Sequence, residues 1–307
     1  MSKRISVVML ALILVVLGLS AAVAEAPQTI SVTHELGTAE VPVNPTKVVV
    51  FDFGTLDTIN YLQVEGVELA LPKSNVPAYL ADYSGDAYTN AGDIKEPDME
   101  AIFTFQPDII FISGRQSAAY EELAAIAPTV YVSVNAETYM EDYTRNATLL
   151  GQIFGKEDEV SAALAQQDTR AAEVAEKAAA SGEKALIILT NDGSVSAYGS
   201  GSRFGIIHDL LGVAEADESI DVSTHGQGVG FEYIAEINPD ILYVVDRTVI
   251  VGGEQVAGTT LDNELVNGTN AAQNGKIIYL DPNVWYLSGG GIESVSQMIE
   301  ETASAFE

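Results

Sequence analysis

The sequence predicts an α/β protein of two Rossmann-like lobes joined by a single long α-helix, with a ligand groove between the lobes. Three observations carry this expectation. A 17-residue stretch recurs at an offset of 132 positions, apolar runs of strand length occur in both halves, and a helical stretch without Pro or Gly separates them. Residues 99–115 (MEAIFTFQPDIIFISGR) lie over residues 231–247 (FEYIAEINPDILYVVDR). Glu100, Ile102, Pro107, Asp108, Ile109 and Arg115 recur as Glu232, Ile234, Pro239, Asp240, Ile241 and Arg247. Each copy reads as a short amphipathic helix, a Pro–Asp turn and a continuous apolar strand. A strand without polar alternation is buried on both faces, as in parallel α/β sheets.

The remaining elements follow in order. Residues 47–53 (KVVVFDF) open the first lobe as a strand, and 56–63 read as helix. After the first repeat come a helix over 118–126 and a strand over 129–134. Residues 139–154 and 157–180 are helical; the second is rich in Ala, Glu and Gln and meets no Gly until Gly182. Twenty-four helical residues span about 36 Å at 1.5 Å per residue, enough for a stiff strut that restricts domain motion. Residues 184–190 (KALIILT) open the second lobe, 204–211 form a helix stopped by Gly212, and 276–281 (KIIYLD) form a late strand. The expected boundaries are a first lobe over 25–155, a linker helix over 156–181 and a second lobe over 182–307.

The start of the chain reads as an export signal. Lys3 and Arg4 precede a short apolar run, and Ala22-Val23-Ala24 supplies the small residues of a cleavage site, so residues 1–24 are expected to be removed. No later stretch is apolar for long enough to span a bilayer. The 307-residue chain carries 44 acidic and 14 basic residues, a formal charge of −30; without Lys3 and Arg4 it is −32. Such a field repels phosphate backbones and anionic headgroups, which argues against nucleic acid as a partner. It also fits a saline habitat, where counter-ions screen self-repulsion, or simple solubility. Cysteine is absent, which excludes disulfides, thiolate metal sites, a thiol nucleophile and a lipid-modified N-terminal cysteine.

Against this acidic background the cations stand out. Arg115 and Arg247 follow directly on apolar strands, and Arg203 lies in a glycine-rich loop, Tyr198-Gly-Ser-Gly-Ser-Arg-Phe-Gly205, after the 184–190 strand. Ligands of open α/β sheets bind outside the carboxyl ends of the strands. Three arginines at such positions point to an anionic ligand with planar oxygen groups, which the guanidinium fork suits. Arg145 and Arg170 sit among Glu and Asp on helices and read as solvated-face residues. His225, in a polar glycine-rich loop, and Tyr286, just past the 276–281 strand and beside Trp285, together suit a ferric ion. Taken alone, a loop His and a loop Tyr are more often hydrogen-bonding residues than metal ligands. His208 reads as a packing residue, and His34 has no evident partner. Enzyme motifs of the G-x-S-x-G, H-E-x-x-H and P-loop types are absent, and the glycines of 199–205 lack the βαβ context of a dinucleotide fingerprint.

Together these residues give the chain a resemblance to class III periplasmic substrate-binding proteins of ATP-driven iron–siderophore importers. It most resembles the branch that takes catecholate siderophores of the petrobactin type. The resemblance covers the chain from residue 30 onward. It is carried by Ser113-Gly-Arg115, the Arg203 loop, Thr224-His-Gly-Gln227 with Phe231-Glu-Tyr233, Val245-Asp-Arg247 and Trp285-Tyr286.

The resemblance implies a binding protein without turnover or intrinsic cofactor: a monomer that captures a ferric catecholate siderophore and delivers it to an ABC permease and its ATPase. It implies that Arg115, Arg203 and Arg247 hold the anionic complex, with Trp285 beside them, and that Glu100 and Glu232 dock onto permease arginines. His225 and Tyr286 would complete the coordination of Fe(III) in a tetradentate complex, since two catecholates leave two of six octahedral positions open. Many relatives carry a lipobox cysteine; its absence here implies a freely diffusing periplasmic protein. The alternatives are a haem or cobalamin carrier on the same fold, a divalent-metal carrier, for which three scattered histidines are too few, and a secreted hydrolase, for which no nucleophile–base pair is evident.

Overall fold

The computed structural model describes residues 28–223 and 225–307; the expected export signal, residues 1–24, lies outside the described residues. An antiparallel hairpin of β1 (Thr29–His34) and β2 (Gly37–Pro42) precedes the first lobe and packs onto it through Val32 and Val41. The first sheet contains β3 (Lys47–Val50), β4 (Glu68–Leu71), β5 (Thr89–Asn90), β6 (Ile109–Ile112) and β7 (Thr129–Tyr131). It is parallel throughout, in the order β5-β4-β3-β6-β7. In this doubly wound arrangement the strand order reverses between β3 and β6, where such sheets open a crevice at their carboxyl edge. Ile109 to Ile112 are all fully buried, which accounts for the unbroken apolar run. Each such side chain contributes about 1.5–3 kcal/mol by leaving water.

The linker is one helix, Glu157–Ser181, of 25 residues. Gly182 in the left-handed region (φ 67°) ends it, with its N–H bonded to Ala178 O. The second sheet holds β8 (Lys184–Asn191), β9 (Ser194–Tyr198), β10 (Ala214–Glu215), β11 (Gln227–Val229), β12 (Ile241–Asp246) and β13 (Ile277–Leu280). Its order is β11-β9-β8-β12-β13, with β10 also pairing β8. The β8–β12–β13 core is parallel; β9 pairs β8 antiparallel, and β11 in turn pairs β9 antiparallel. The Arg203 loop therefore follows β9 rather than the 184–190 strand itself. The intervening turn has positive φ at Asp192 (47°) and Gly193 (84°), the conformation that an Asp-Gly hairpin favours.

The 132-residue repeat is visible in three dimensions. Helix Met99–Phe105 ends on Gln106 (φ 54°) and helix Phe231–Ile237 on Asn238 (φ 49°), both left-handed caps. The Pro–Asp turn that follows then clips each lobe's opening strand. The Asp108 carboxylate accepts from Lys47 N at 2.9 Å, and Asp240 accepts from Lys184 N at 3.1 Å. Some helices are shorter or shifted from the sequence expectation. The first begins at Phe53 because Asp52 caps it, accepting from Thr55 N at 2.8 Å. The expected 118–126 helix is a 3₁₀ turn, Gly114–Ala119, running into Tyr120–Ala124. The 204–211 helix shrinks to Ile206–Asp209.

The C-terminal helix Ile292–Ala303 lies against the linker and against Phe53–Tyr61 of the first lobe. Val295, Met298 and Ile299 share a core with Val174 of the linker and Ile187 and Tyr243 of the second sheet. Close backbone approach makes this seam possible. A Cβ on Gly54 would stand 2.9 Å from Gly290 C and 3.0 Å from Ser288 O. Within a helix, Gly→Ala ordinarily stabilises by roughly 0.5–1 kcal/mol. Gly54→Ala is expected to do the opposite, destabilising by about 1–3 kcal/mol through overpacking and lowering Tm in thermal denaturation; a raised Tm would show that the seam tolerates the methyl group.

Candidate ligand-binding groove

A groove of about 870 Å³ opens between the lobes at the carboxyl edges of both sheets, within the range of small-molecule sites. From the first lobe it receives Asp52 past β3, Ser113 and Arg115 past β6, and the segment 133–139 past β7. From the second it receives Ser202, Arg203, Val222, Ser223 and the stretch 285–290.

Tyr286 is the centre of the site. It sits on a π-helical turn, Asn283–Ser288, that follows β13. Its backbone carbonyl accepts from Arg115 at 3.2 Å and from Arg203 at 3.3 Å, one arginine from each lobe. Its hydroxyl accepts from Arg247 Nε at 2.7 Å. The Arg203 guanidinium lies 4.7 Å and that of Arg247 5.5 Å from the ring centroid, a stacking that orients both forks. Burial pushes the Tyr286 phenol up, but the Arg247 hydrogen bond and the charges of Arg247, Arg203 and Arg115 outweigh it, so its pKa falls below the usual phenol value. Burial likewise lowers Arg203, against the pull of Tyr198 and Tyr286.

Among the described residues none of these three arginines is in an ion pair, whereas Arg145 pairs with Asp142 and Arg170 with Glu173 and Glu300. Half-buried guanidinium groups without carboxylate partners are costly unless a ligand neutralises them. Asp52 lines the groove and feels the Arg115 charge. Burial raises its carboxyl, against the Thr55 hydrogen bonds and the Arg115 charge.

The structure thus brings together Arg115, Arg203, Arg247, Tyr286 and Trp285. Arg247 stands behind Tyr286 rather than lining the groove. Trp285 is buried, with its indole N–H on Glu301 at 2.8 Å. His225 is not brought in. It is exposed on its loop and is not among the lining residues, although Val222 and Ser223 of the same loop are. Among the described residues no three His, Asp or Glu side chains converge as a ready-made metal cage. His208 is held by packing, Nδ1 to Val213 O at 2.7 Å, and His34 stands edge-on to Tyr120 with Nε2 3.1 Å from Thr129 O. Glu100 and Glu232 are exposed in the first turns of the two equivalent helices. Asp52 and the 133–139 segment, including Asn135 and Glu137, were not singled out by sequence reasoning; both follow strand ends, the signal that found the arginines.

Comparison with known proteins places this geometry. A family profile described as periplasmic binding protein matches residues 48–284. The petrobactin-binding protein YclQ of Bacillus subtilis (strain 168) is 46% identical over 283 residues, covering 91% of this chain and 89% of its own. The crystal structure of that protein superposes with a TM-score of 0.88 at 45% identity, covering 91% of this chain and 99% of the other. The periplasmic catecholate-siderophore binding protein VctP of Vibrio cholerae superposes with a TM-score of 0.83 at 35% identity, covering 90% and 100%.

The lowered phenol gives a direct check. Ionised Tyr286 is favoured by the folded site, so its contribution to stability is present above the unfolded value near 10 and is lost as pH falls through the folded value. Ultraviolet titration at about 295 nm is expected to show one tyrosine ionising ahead of the rest, a step absent from Tyr286→Phe. A single late transition in both proteins would contradict the cluster's electrostatics.

Proposed function

The chain belongs to the periplasmic binding protein family, and we propose that it captures a ferric siderophore of catecholate type and delivers it to an ABC importer. The observation that carries this reading is the convergence of three arginines, without carboxylate partners among the described residues, on one tyrosine in an interlobe groove. A ferric complex of catecholates is anionic and rich in planar oxygen pairs. Arg115 from the first lobe and Arg203 and Arg247 from the second would neutralise it in a partly dehydrated space, where charge-assisted contacts strengthen. The sequence similarity to a petrobactin-binding protein supports the same class of ligand.

In this reading the protein binds and releases without chemistry. Two catecholates leave two positions on octahedral Fe(III), and Tyr286, with its lowered pKa, supplies a phenolate to one of them. His225 supplies the other, through movement of its loop toward the groove. The 25-residue linker, packed along its length against the helices Tyr139–Phe154 and Ile292–Ala303, limits closure to a modest hinge. Delivery uses the surface on which Glu100 and Glu232 project from equivalent helices, each presenting a carboxylate to permease arginines. The first 24 residues direct export to the periplasm.

Trp285, the only tryptophan of the chain, reports occupancy. Titration with ferric bis-catecholate, ferric hydroxamate, haem and cobalamin is expected to show tight fluorescence quenching by the catecholate. Arg203→Ala removes a charged hydrogen-bond donor worth about 1.5–3 kcal/mol, so its Kd is expected to rise about 10- to 100-fold. Preferential quenching by haem or cobalamin would keep the fold and overturn the ligand, and silence from all four would reopen the enzyme reading. For delivery, the double variant Glu100→Ala/Glu232→Ala is expected to bind ligand as the wild type does while losing uptake in cells; retained uptake would remove the docking role.

A further inference from the structure

The segment that carries Tyr286 belongs to the second lobe by sequence, yet the first lobe holds it at both ends. At its start, the Asn283 side chain accepts from Ala78 N at 3.1 Å. At its end, Ser288 Oγ lies 2.7 Å from Tyr79 Oη and 3.0 Å from Asn283 O, and its one proton can serve either acceptor. Behind it, the buried Asp57 carboxylate accepts from Glu293 N at 2.8 Å, Ser294 N at 2.7 Å and the Tyr79 hydroxyl at 2.8 Å. Asp57 thus sits on the amino end of the 12-residue C-terminal helix, where unpaired N–H groups and the helix dipole favour an anion. Thr58 accepts from Ile292 N at 3.3 Å, and Asn60 donates to Glu293 at 3.3 Å.

Asp57 has no contact with the groove, is fully buried and lies on a helix whose other inward residues are apolar or hydroxylic. A buried carboxylate is costly unless its bonds are needed. Its bonds lead to the far end of one short segment, through Tyr79 to Ser288 and directly to Glu293 and Ser294 just beyond it, and that segment presents Tyr286.

We propose that Asp57 and Tyr79 are positioning residues, which lock the 283–291 segment to the first lobe and so hold the Tyr286 hydroxyl where it meets the ligand's iron. Seam and site are then coupled: the lobes cannot shift at the seam without displacing Tyr286. The inference rests on the ferric-siderophore reading for its functional consequence and on the hydrogen-bond network for its structural part, and the two are tested separately.

Tyr79→Phe keeps the ring in place and removes the bonds to Asp57 and Ser288; Asp57→Asn keeps shape but presents an N–H to backbone N–H groups. The structural arm is amide hydrogen exchange of ligand-free protein. Tyr79→Phe is expected to accelerate exchange in 283–291 and leave the first sheet unchanged; equal exchange in wild type and variant would overturn the proposal whatever the ligand proves to be. The functional arm compares a ferric bis-catecholate, which needs protein ligands, with a hexadentate ferric tris-catecholate, which needs none. Loss of a group that orients a metal ligand weakens binding about 10- to 100-fold, so both variants are expected to weaken the bis-catecholate by that factor and spare the tris-catecholate. Equal weakening of the two complexes, or none, in a Tyr79→Phe protein that melts near the wild type would reduce the residues to structural supports. Wild-type protein that binds neither complex would remove the siderophore reading, and the exchange arm would still decide the anchoring.

Discussion

Three guanidinium groups meet on one tyrosine, and in a chain of formal charge −30 that arrangement governs the rest of the site. Arg115 and Arg203 reach the same backbone carbonyl from opposite lobes, and Arg247 takes the hydroxyl of the same residue. Cations held together without carboxylate partners among the described residues repel one another. The fold tolerates this because the tyrosine offers a carbonyl, a π-face and an acidified hydroxyl to three different charges. It also leaves an unmet demand for anion that an anionic guest would satisfy. The surrounding acidic surface repels anions at long range, so capture depends on short-range fit within the groove and is favoured where salt screens the outer field.

The scaffold serves this cluster by fixing its two halves. Each lobe presents one arginine directly after a repeat strand, Arg115 after β6 and Arg247 after β12, and the Pro–Asp turn before each of these strands clips the lobe's opening strand, β3 or β8. The linker and the C-terminal helix then tie the lobes together. The seam is dense enough that Gly54 and Gly291 leave no room for a side chain. Rigidity of this kind places the three charges before ligand arrives, which lowers the ordering cost of binding.

Much of this was legible in the sequence, for physical reasons. Strands buried on both faces must be continuously apolar, so β6, β8 and β12 announced themselves, and the 132-residue repeat paired the lobes. The strand-end rule then located Arg115, Arg247 and Tyr286 without knowledge of their contacts. The antiparallel β9 was missed although Asp192-Gly193 marks its turn, because β8 read as part of a wholly parallel sheet. Asp57 was invisible: its partners at Glu293 and Ser294 lie more than two hundred positions away, and nothing local distinguishes it from a solvated helix acid. His225 shows the converse limit. Loop composition indicated a polar site, but the direction a loop side chain faces is set by tertiary packing, and here it faces solvent.

The central claim is that Tyr286 meets the iron of a ferric catecholate held by the arginines. Visible absorption tests it most directly, because replacing a coordinated water by a phenolate changes the ligand-to-metal charge-transfer band. Ferric bis-catecholate titrated into the wild-type protein is expected to shift its band with 1:1 stoichiometry, and the shift is expected to vanish in Tyr286→Phe. A band that stays at the position of the free complex when the protein is saturated would contradict the account, leaving Tyr286 as a wall of the groove and not a ligand.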